Sequence, residues 1–545
     1  MPQVSEILEK IHYKSQAGEK LSDEEMLLLL AESVLFPPYE RKIVGYERRS
    51  IKNEINKILL ITLHMIGNVV WTTPVVSALR EKYPDAHIAF MVGDVAPEVV
   101  DDNPHLDEII VFEERRYWFD LQRGRSFKDI VAELREFALD LRRKGFDLII
   151  NLQPDPKISY LTYLADPKSI DGLITREDGQ LMIVGNLWML YWQLNYRKGD
   201  NYLNILDAIE INLKMVRVNP KTRQLNIFVN KEAKKRAIQV LDSFDIREKD
   251  MLVGLNPGVG PGFHRRAWRR EGYAMLGDLL IKLYGVKVII FGGLDDVALA
   301  CEIEEKMKES PINLAGKTTL KELAYLISKC DHFITGDTGP MHVAGAMGTK
   351  IIALCGPNLK TPYGAKDHLI LYAKLSCIGC GGNSRCKTVD CMKAITAEDV
   401  LVAVKFQRKE IDKLQCLSAL SHLNIYTSGD KPPTRLFSYY PLEPKEVLAK
   451  EVADEVLKYA HLDLCIKENN KIDDYEEGLT KKEVWNNLNK KYKIKDSNSL
   501  CQEVENRDIS KYLESLDLLY PREELPRAKE ESSRRMKRFL AKICR

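Results

Sequence analysis

The chain has 545 residues, 45% of them hydrophobic and 29% charged. A chain this long does not organise around one core, so two or three domains are expected, and so ordinary a composition excludes wholesale disorder. The 81 basic and 79 acidic side chains leave a formal charge of +2, which gives no overall electrostatic case for nucleic acid as a partner.

The first fifty residues pattern as helix. Ser22 and Glu25 have capping-box spacing ahead of Met26 to Leu35, and Pro37-Pro38 ends the run. The apolar stretch from Met26 to Leu30 is too short to span a bilayer, and no basic segment leads into a longer one. Neither a signal peptide nor a transmembrane helix is expected. The expected location is the cytoplasm, with peripheral contact at the inner face of the membrane. In that compartment the 11 cysteines are expected to be reduced, buried or metal-bound rather than a disulfide framework.

From Lys57 the pattern alternates. Lys57 to Leu63 is a short apolar run suited to a strand buried on both faces, and a helix is predicted from Val69 to Lys82. Strands follow at Ala86 to Val92 and Glu108 to Phe112, then a charged helix from Phe127 to Lys144 and a strand from Phe146 to Leu152. Residues 217 to 250, with Pro220 and many charges, read as an inter-domain link. A second series begins at Met251 and continues with strands at Val286 to Phe291, Asp331 to Thr335 and Lys350 to Leu354. Beyond about residue 405 the strand signal fades. Pro432, Pro433, Pro441 and Pro444 break the chain, and amphipathic stretches at Val447 to Tyr459 and Thr480 to Asn489 suggest a helical module. The expected fold is α/β, with two Rossmann-like, doubly wound parallel-sheet domains at 51–235 and 236–405 facing a cleft. Helical extensions at 1–50 and 406–545 flank them, and the C-terminal helices are the expected means of any oligomerisation.

Three short segments carry chemistry. Gly67, in HMIGNVVWTTP, follows the first strand and precedes a helix. A glycine there lets a ligand approach a helix N-terminus, although taken alone it reads equally as a tight turn. The sequence around it lacks the G-x-G-x-x-G spacing of dinucleotide dehydrogenases. Asn256, Pro257 and Gly258 end the first strand of the second series. The Gly- and Pro-rich loop behind them leads to Arg265 and Arg266, either of which can bind phosphate through a planar fork of donors. The sharpest signal is Gly336-Asp337-Thr338-Gly339-Pro340-Met341-His342, between a strand and a helix. The Thr338 and Gly339 amides at that helix N-terminus form a cradle for a diphosphate, with Asp337 and His342 beside them.

These segments resemble glycosyltransferase family 9, the ADP-heptose:lipopolysaccharide heptosyltransferase family. The blocks that carry the resemblance are KILLITLHMIGNVVWTTPVVSALREKYPDAHIAFMVG, LNPGVGPGFHRRAWRREGYAML, and FGGLDD through INLAGKTTLKELAYLISKCDHFITGDTGPMHVAGAMGTKIIALCGP. They cover about residues 57 to 404, about two thirds of the chain. The resemblance implies a GT-B fold whose second half binds a nucleotide-sugar donor and whose first half, on the side of Gly67, binds the acceptor. It places Arg266 where the family has a lysine on the donor phosphates. Thr338 and Gly339, with Asp337, Pro340 and His342, match the phosphate loop, and Gly292, Gly293 and Asp295 fall where the nucleoside is held. It also implies an inverting transfer with no cofactor required, from ADP-heptose to a lipopolysaccharide core or a protein acceptor.

The sequence departs from that pattern at Asn68, where the family has an aspartate as its proposed base. A carboxamide does not accept a proton at neutral pH. His64 on the same loop is the nearest titratable substitute, and Asp94 and Asp155, each just past a strand, are the others. Two readings therefore stand. One is an active transferase with a relocated base; the other is a catalytically silent relative that binds a nucleotide-sugar or a partner. A third, a GT-B sugar-nucleotide epimerase, would need carboxylates where these motifs instead suit a leaving diphosphate.

Cys377, Cys380, Cys386 and Cys391 lie together as C-x2-C-x5-C-x4-C with glycines between. That spacing lets four thiolates converge on one structural ion, zinc by default and iron as the alternative. Family 9 members resemble this chain in carrying cysteines in the region. Reduced or partly paired thiols are the other reading.

Overall fold

A computed structural model describes residues 2–36, 43–48, 54–63, 65–153, 155–185, 213, 216–218, 224–260, 262–357, 368–375, 377, 386 and 388–427. The chain's contacts divide it into two compact units. One holds the described residues of Met1–Ile58 and Glu114–Lys198; the other holds those of Leu59–Glu113 and Gly199–Phe437. The expected helical stretches at 447–459 and 480–489 lie outside the described residues.

The first unit opens with helices α1 (Pro2–Gln16) and α2 (Asp23–Leu35). The capping box forms as read. Ser22 Oγ accepts from the Glu25 amide at 3.2 Å, and Glu25 Oε2 accepts from the Ser22 amide at 2.8 Å. A strand, β1 (Ile43–Arg48), follows within the first fifty residues, where helix alone was expected. The reason is that β1 adds in parallel to β7 (Leu181–Gly185), which pairs antiparallel with β6 (Ile170–Thr175). Sheet pairing overrides a weak local signal. The order in this unit is β1-β7-β6-β5, with β5 at Leu148–Asn151. Asp147, just before β5, accepts from the amides of Asn56 and Lys57 at 2.9 Å each and pairs with Lys168 at 2.6 Å.

The division between the units passes through β2 (Lys57–Thr62). The second unit holds the strand run β2-β3-β4, with β3 at His87–Gly93 and β4 at Glu108–Phe112. Helix α3 (Ile66–Lys82) starts three residues earlier than the apolar pattern suggested, so Gly67 and Asn68 form its first turn rather than a preceding loop. Pro74 lies inside this helix. Its ring nitrogen has no proton for the Val70 carbonyl, and the Thr73 hydroxyl donates to that carbonyl instead, at 2.8 Å.

The second sheet has the order β10-β9-β8-β11-β12-β13-β14. Its strands are β8 (Leu252–Asn256), β9 (Lys287–Ile290), β10 (Ile312–Asn313), β11 (His332–Gly336), β12 (Ile351–Cys355), β13 (Leu369–Ala373) and β14 (Leu423–Thr427). The pairs from β10 to β13 are parallel, and β14 is antiparallel to β13. That last strand lies past residue 405, where only helices were expected; it closes the sheet edge by backbone pairing that the local sequence does not announce. Val253, Leu255, Ile334 and Ile352 fill the core with Leu276, Leu280, Val400 and Val404 from the covering helices. Chain order reverses between β8 and β11, the switch point beyond whose strand ends doubly wound sheets bind ligands.

Candidate functional site

The C-terminal ends of β8 and β11 are held together by the side chain of Asn256, which is 2% exposed. Thr335 lies opposite Asn256 in the parallel register. The Asn256 amide nitrogen donates toward Gly258 O at 3.3 Å, Thr335 Oγ1 at 3.3 Å and Thr338 Oγ1 at 3.4 Å. Tyr273 donates its hydroxyl to the Asn256 carbonyl at 3.2 Å, and burial pushes that phenol well above its ordinary pKa. The amide network thus sets the relative position of both loops.

From Thr338 runs helix α12 (Gly339–Ala346), with Pro340 in its first turn. Thr338 is its N-cap, yet the hydroxyl makes no capping bond. Arg266 reaches this loop from a 3-10 turn, His264–Arg266, which also holds Arg265. Its guanidinium pairs with Asp337 at 3.4 Å and stacks on Phe263 at 4.2 Å from the ring centroid. Asp337 is buried, so Arg266 is the cation that compensates a carboxylate beside a helix N-terminus. The loop is anchored behind by Trp268, whose indole donates to Ile395 O at 2.8 Å.

Gly292 and Gly293 follow β9 and precede a turn at Leu294–Asp296. Asp296 rather than Asp295 faces them, accepting from the Gly293 amide at 2.9 Å. A β-carbon on Gly258 would lie 2.3 Å from the Asp296 carboxylate. Glycine at 258 is therefore required by close approach. Asp295 is exposed.

The first turn of α3 packs against α12. A β-carbon on Gly67 would lie 2.5 Å from Cδ2 of His342, and one on Gly339 would lie 3.1 Å from Cβ of Ile66. His342 is buried and meets Trp71 edge-on at 4.9 Å between centroids. The pattern read Gly67 as a loop residue open to ligand; the structure makes it the seat of an imidazole. Asn68, half-buried, occupies the same turn, and its carbonyl accepts from Thr72 at 2.9 Å. Asp94 follows β3 at the same end of the sheet, since Gly93 approaches the Leu63 carbonyl so closely that a β-carbon would lie 2.3 Å from it. His64 lies outside the described residues.

Asp155 belongs to the other unit and is already engaged. It caps helix α7 (Pro156–Leu164) by accepting from the Lys157 amide at 3.1 Å, and it pairs with the Lys157 ammonium, which also meets Glu114 at 2.9 Å. Burial alone would lower the Lys157 pKa, but Asp155 and Glu114 outweigh it and hold it above the ordinary value. Asp155 is thus a helix cap in a buried ion pair rather than a candidate base.

The cysteine cluster is described in part, because Cys380 lies outside the described residues. Cys391 is buried in the core of the second sheet, where its Sγ would lie 2.8 Å from a β-carbon on Gly356. Cys377 is exposed and Cys386 half-buried. Among the described residues no group of three or more His, Cys, Asp or Glu is placed to hold a metal ion.

Asp296, Thr335, Phe263 and Trp71 were not legible as site residues. Asp296 adjoins the FGG motif and Thr335 its GDTG counterpart, so position beside a glycine turn was the available signal. Trp71 meets His342 across the fold, which no local pattern encodes, whereas Phe263 stacks on Arg266 three residues away within one loop.

Two α/β sheet regions, with a polar cluster at the switch point of the second sheet, have the GT-B architecture found in nucleotide-sugar glycosyltransferases. The fold matches the crystal structure of the glycosyl transferase family 9 from Veillonella parvula DSM 2008 with a TM-score of 0.56 and 25% identity, over 67% of this chain and 100% of that one. The model for "Glycosyltransferase family 9 (heptosyltransferase)" matches residues 134–384. Lipopolysaccharide heptosyltransferase 3 of Escherichia coli is 26% identical over 314 residues, 56% of this chain and 82% of that protein. The lipopolysaccharide core heptosyltransferase OpsX of Haemophilus influenzae is 24% identical over 323 residues, 57% of this chain and 83% of its own length.

Proposed function

We propose that the chain transfers heptose from ADP-heptose to a lipopolysaccharide-core or protein acceptor with inversion at the anomeric carbon. The observation that carries this reading is the arrangement at the switch point of the second sheet: an uncapped helix N-terminus at Thr338 and Gly339, with Arg266 held beside it by Asp337 and Phe263. An anionic diphosphate is favoured there by the free amides and by the guanidinium, and the same groups stabilise the charge that develops as ADP leaves. Gly292 and Gly293, on the turn after β9, are the residues assigned to the nucleoside, and Asp296 is seated beside them against Gly258. Heptose as the sugar is supported by the family and by the names of the relatives.

In this reading a residue other than Asn68 takes the proton of the acceptor hydroxyl. Asp94, at the adjoining strand end, and His64 are the groups assigned to that step. Incubating the purified protein with ADP-heptose and a heptose-acceptor core oligosaccharide, and following ADP release with the product mass, tests the proposal. Formation of the heptosylated product with release of ADP is expected. Tight ADP-heptose binding without any turnover would instead favour the catalytically silent reading, which Asn68 alone supports.

A structural zinc or iron at Cys377, Cys380, Cys386 and Cys391, a cytoplasmic location with peripheral membrane contact, and association through the C-terminal region belong to the same proposal and rest on the sequence. Among the described residues no helix is long and apolar enough to cross a membrane.

A further inference from the structure

Thr338 behaves unlike an ordinary N-cap threonine. Such a hydroxyl normally accepts from an amide of the first helical turn. Here the second residue of the helix is Pro340, which has no N–H, and the Met341 amide donates to the Thr338 carbonyl at 3.2 Å. The helix therefore makes no use of the Thr338 hydroxyl, which lies 3.1 Å from Thr335 Oγ1 and 3.4 Å from Asn256 Nδ2.

A count of protons gives this contact a direction. The Asn256 amide nitrogen only donates, and its neighbours are Gly258 O, Thr335 Oγ1 and Thr338 Oγ1. The single proton of Thr335 has two acceptors at equal distance, Gly336 O at 3.1 Å and Thr338 Oγ1 at 3.1 Å. With that proton on Gly336 O, the Thr338 hydroxyl donates back to Thr335 and is closed on itself. With the proton turned to Thr338, the Thr338 oxygen accepts from Asn256 and Thr335 together, and its own proton is directed outward. Thr338 is half-exposed while Thr335 is fully buried, so only the former can meet a ligand.

We propose that Thr335 is a positioning residue whose buried hydroxyl turns the Thr338 hydroxyl into a donor to the phosphate of a nucleoside diphosphate. The proposal rests on the donor-site reading above and adds to it a residue that never touches the ligand. A phosphate oxygen, which only accepts, selects the outward-pointing arrangement. Gly336 O holds the Thr335 proton when the site is empty.

The test is an ADP titration by calorimetry on the wild type, Thr335→Val, Thr335→Ser, Thr338→Val and the Thr335→Val/Thr338→Val pair, with a thermal melt of each. Thr335→Val is expected to weaken ADP binding about 10-fold, the scale of one hydrogen bond to a charged group, while Thr335→Ser stays within roughly 2-fold of wild type. A residue that only fills space would give the opposite order, because valine keeps the volume and serine leaves a methyl-sized void. In the Thr338→Val background the valine at 335 is expected to add nothing further. Should the valine variant not fold, Thr335→Cys against Thr335→Ser takes its place: the thiol fills at least the space of the serine hydroxyl but is a weak hydrogen-bonding group, so the proposal expects weaker ADP binding by the cysteine variant and a space-filling role does not. Binding by Thr335→Val equal to wild type, or additive effects in the pair, overturns the proposal. A wild-type protein that binds no ADP overturns the donor site itself, a result readily told apart from an unaffected Thr335→Val.

Discussion

Gly67 and His342 meet at a distance that only glycine allows: a β-carbon at position 67 would lie 2.5 Å from the imidazole Cδ2. The first turn of α3 and the start of α12 are thereby set against each other, and Trp71 meets the same ring edge-on at 4.9 Å between centroids. Gly67→Ala is expected to destabilise the protein by about 1–3 kcal/mol through overpacking, since His342 is buried and its ring has little room to retreat. Thermal melts report the stability. An ADP titration on the same variant reports whether the shift of α12 also weakens the site.

Arg266→Ala removes the cation that sits 3.4 Å from Asp337. It leaves a buried carboxylate beside the proposed phosphate site, so ADP binding is expected to weaken by about 10- to 100-fold. Arg266→Lys keeps the charge but loses the planar stack on Phe263, and its effect should be intermediate. Calorimetry with ADP measures both variants.

Asn68→Asp restores the carboxylate of the family pattern in the first turn of α3. If only the side chain at 68 limits proton transfer, turnover of ADP-heptose rises in this variant, while Asn68→Ala leaves it near the wild-type rate. Equal rates in all three forms would place the base at another residue. An aspartate at a helix N-terminus is also expected to raise stability by about 0.3–1 kcal/mol.

The acid limb of the stability curve depends on Asp147. Lys168 beside it, opposed by burial and helped by the Asn56 and Lys57 amides, holds its carboxyl below the usual range. A lowered carboxylate pKa contributes stability that is present above the unfolded-state value of about 3.9 and is lost as the pH falls through the folded one. Asp147→Asn should therefore cost about 1–3 kcal/mol at neutral pH and flatten the loss of stability in acid. Urea midpoints from pH 7 to pH 3 test this.

His332 acts at a higher pH. Burial pushes its imidazolium pKa down, against the opposing bond to Gln407, whose Oε1 lies 2.8 Å from Nδ1. Gln407 donates its own amide proton to Ile351 O at 2.9 Å, so its oxygen faces the ring and His332 carries its proton on Nδ1. A depressed histidine pKa means that the unfolded chain takes up the proton first. Stability is then lost as the pH falls below about 6.5 toward the folded value. His332→Gln is expected to be less stable at pH 7.5 but to show a smaller drop between pH 7.5 and pH 5.

Much of the second sheet was legible from its apolar runs, because a strand buried on both faces leaves no polar residue to obscure the pattern. Runs at Met251, Val286, Asp331 and Lys350 each became a strand close to the expected place. The strands that escaped were β1, β6, β7, β10, β13 and β14, each of which is held by backbone pairing with a neighbour. The start of α3 escaped as well, because Gly67 is a poor helix former by itself and is helical here in contact with α12.

The sequence by itself determined the class of fold, the family that the chain resembles and the segments that carry the polar chemistry. Those are properties of local pattern and residue type, and a strand–glycine–helix junction presents amides wherever it occurs. Only the tertiary structure decided what those residues face. It brought Asn256 to Thr335 and Thr338, set Asp296 against Gly258, seated His342 on Gly67, and buried Cys391 in the core. Hydrogen bonds and close contacts between residues dozens or hundreds of positions apart depend on strand order and register, which no window of sequence contains.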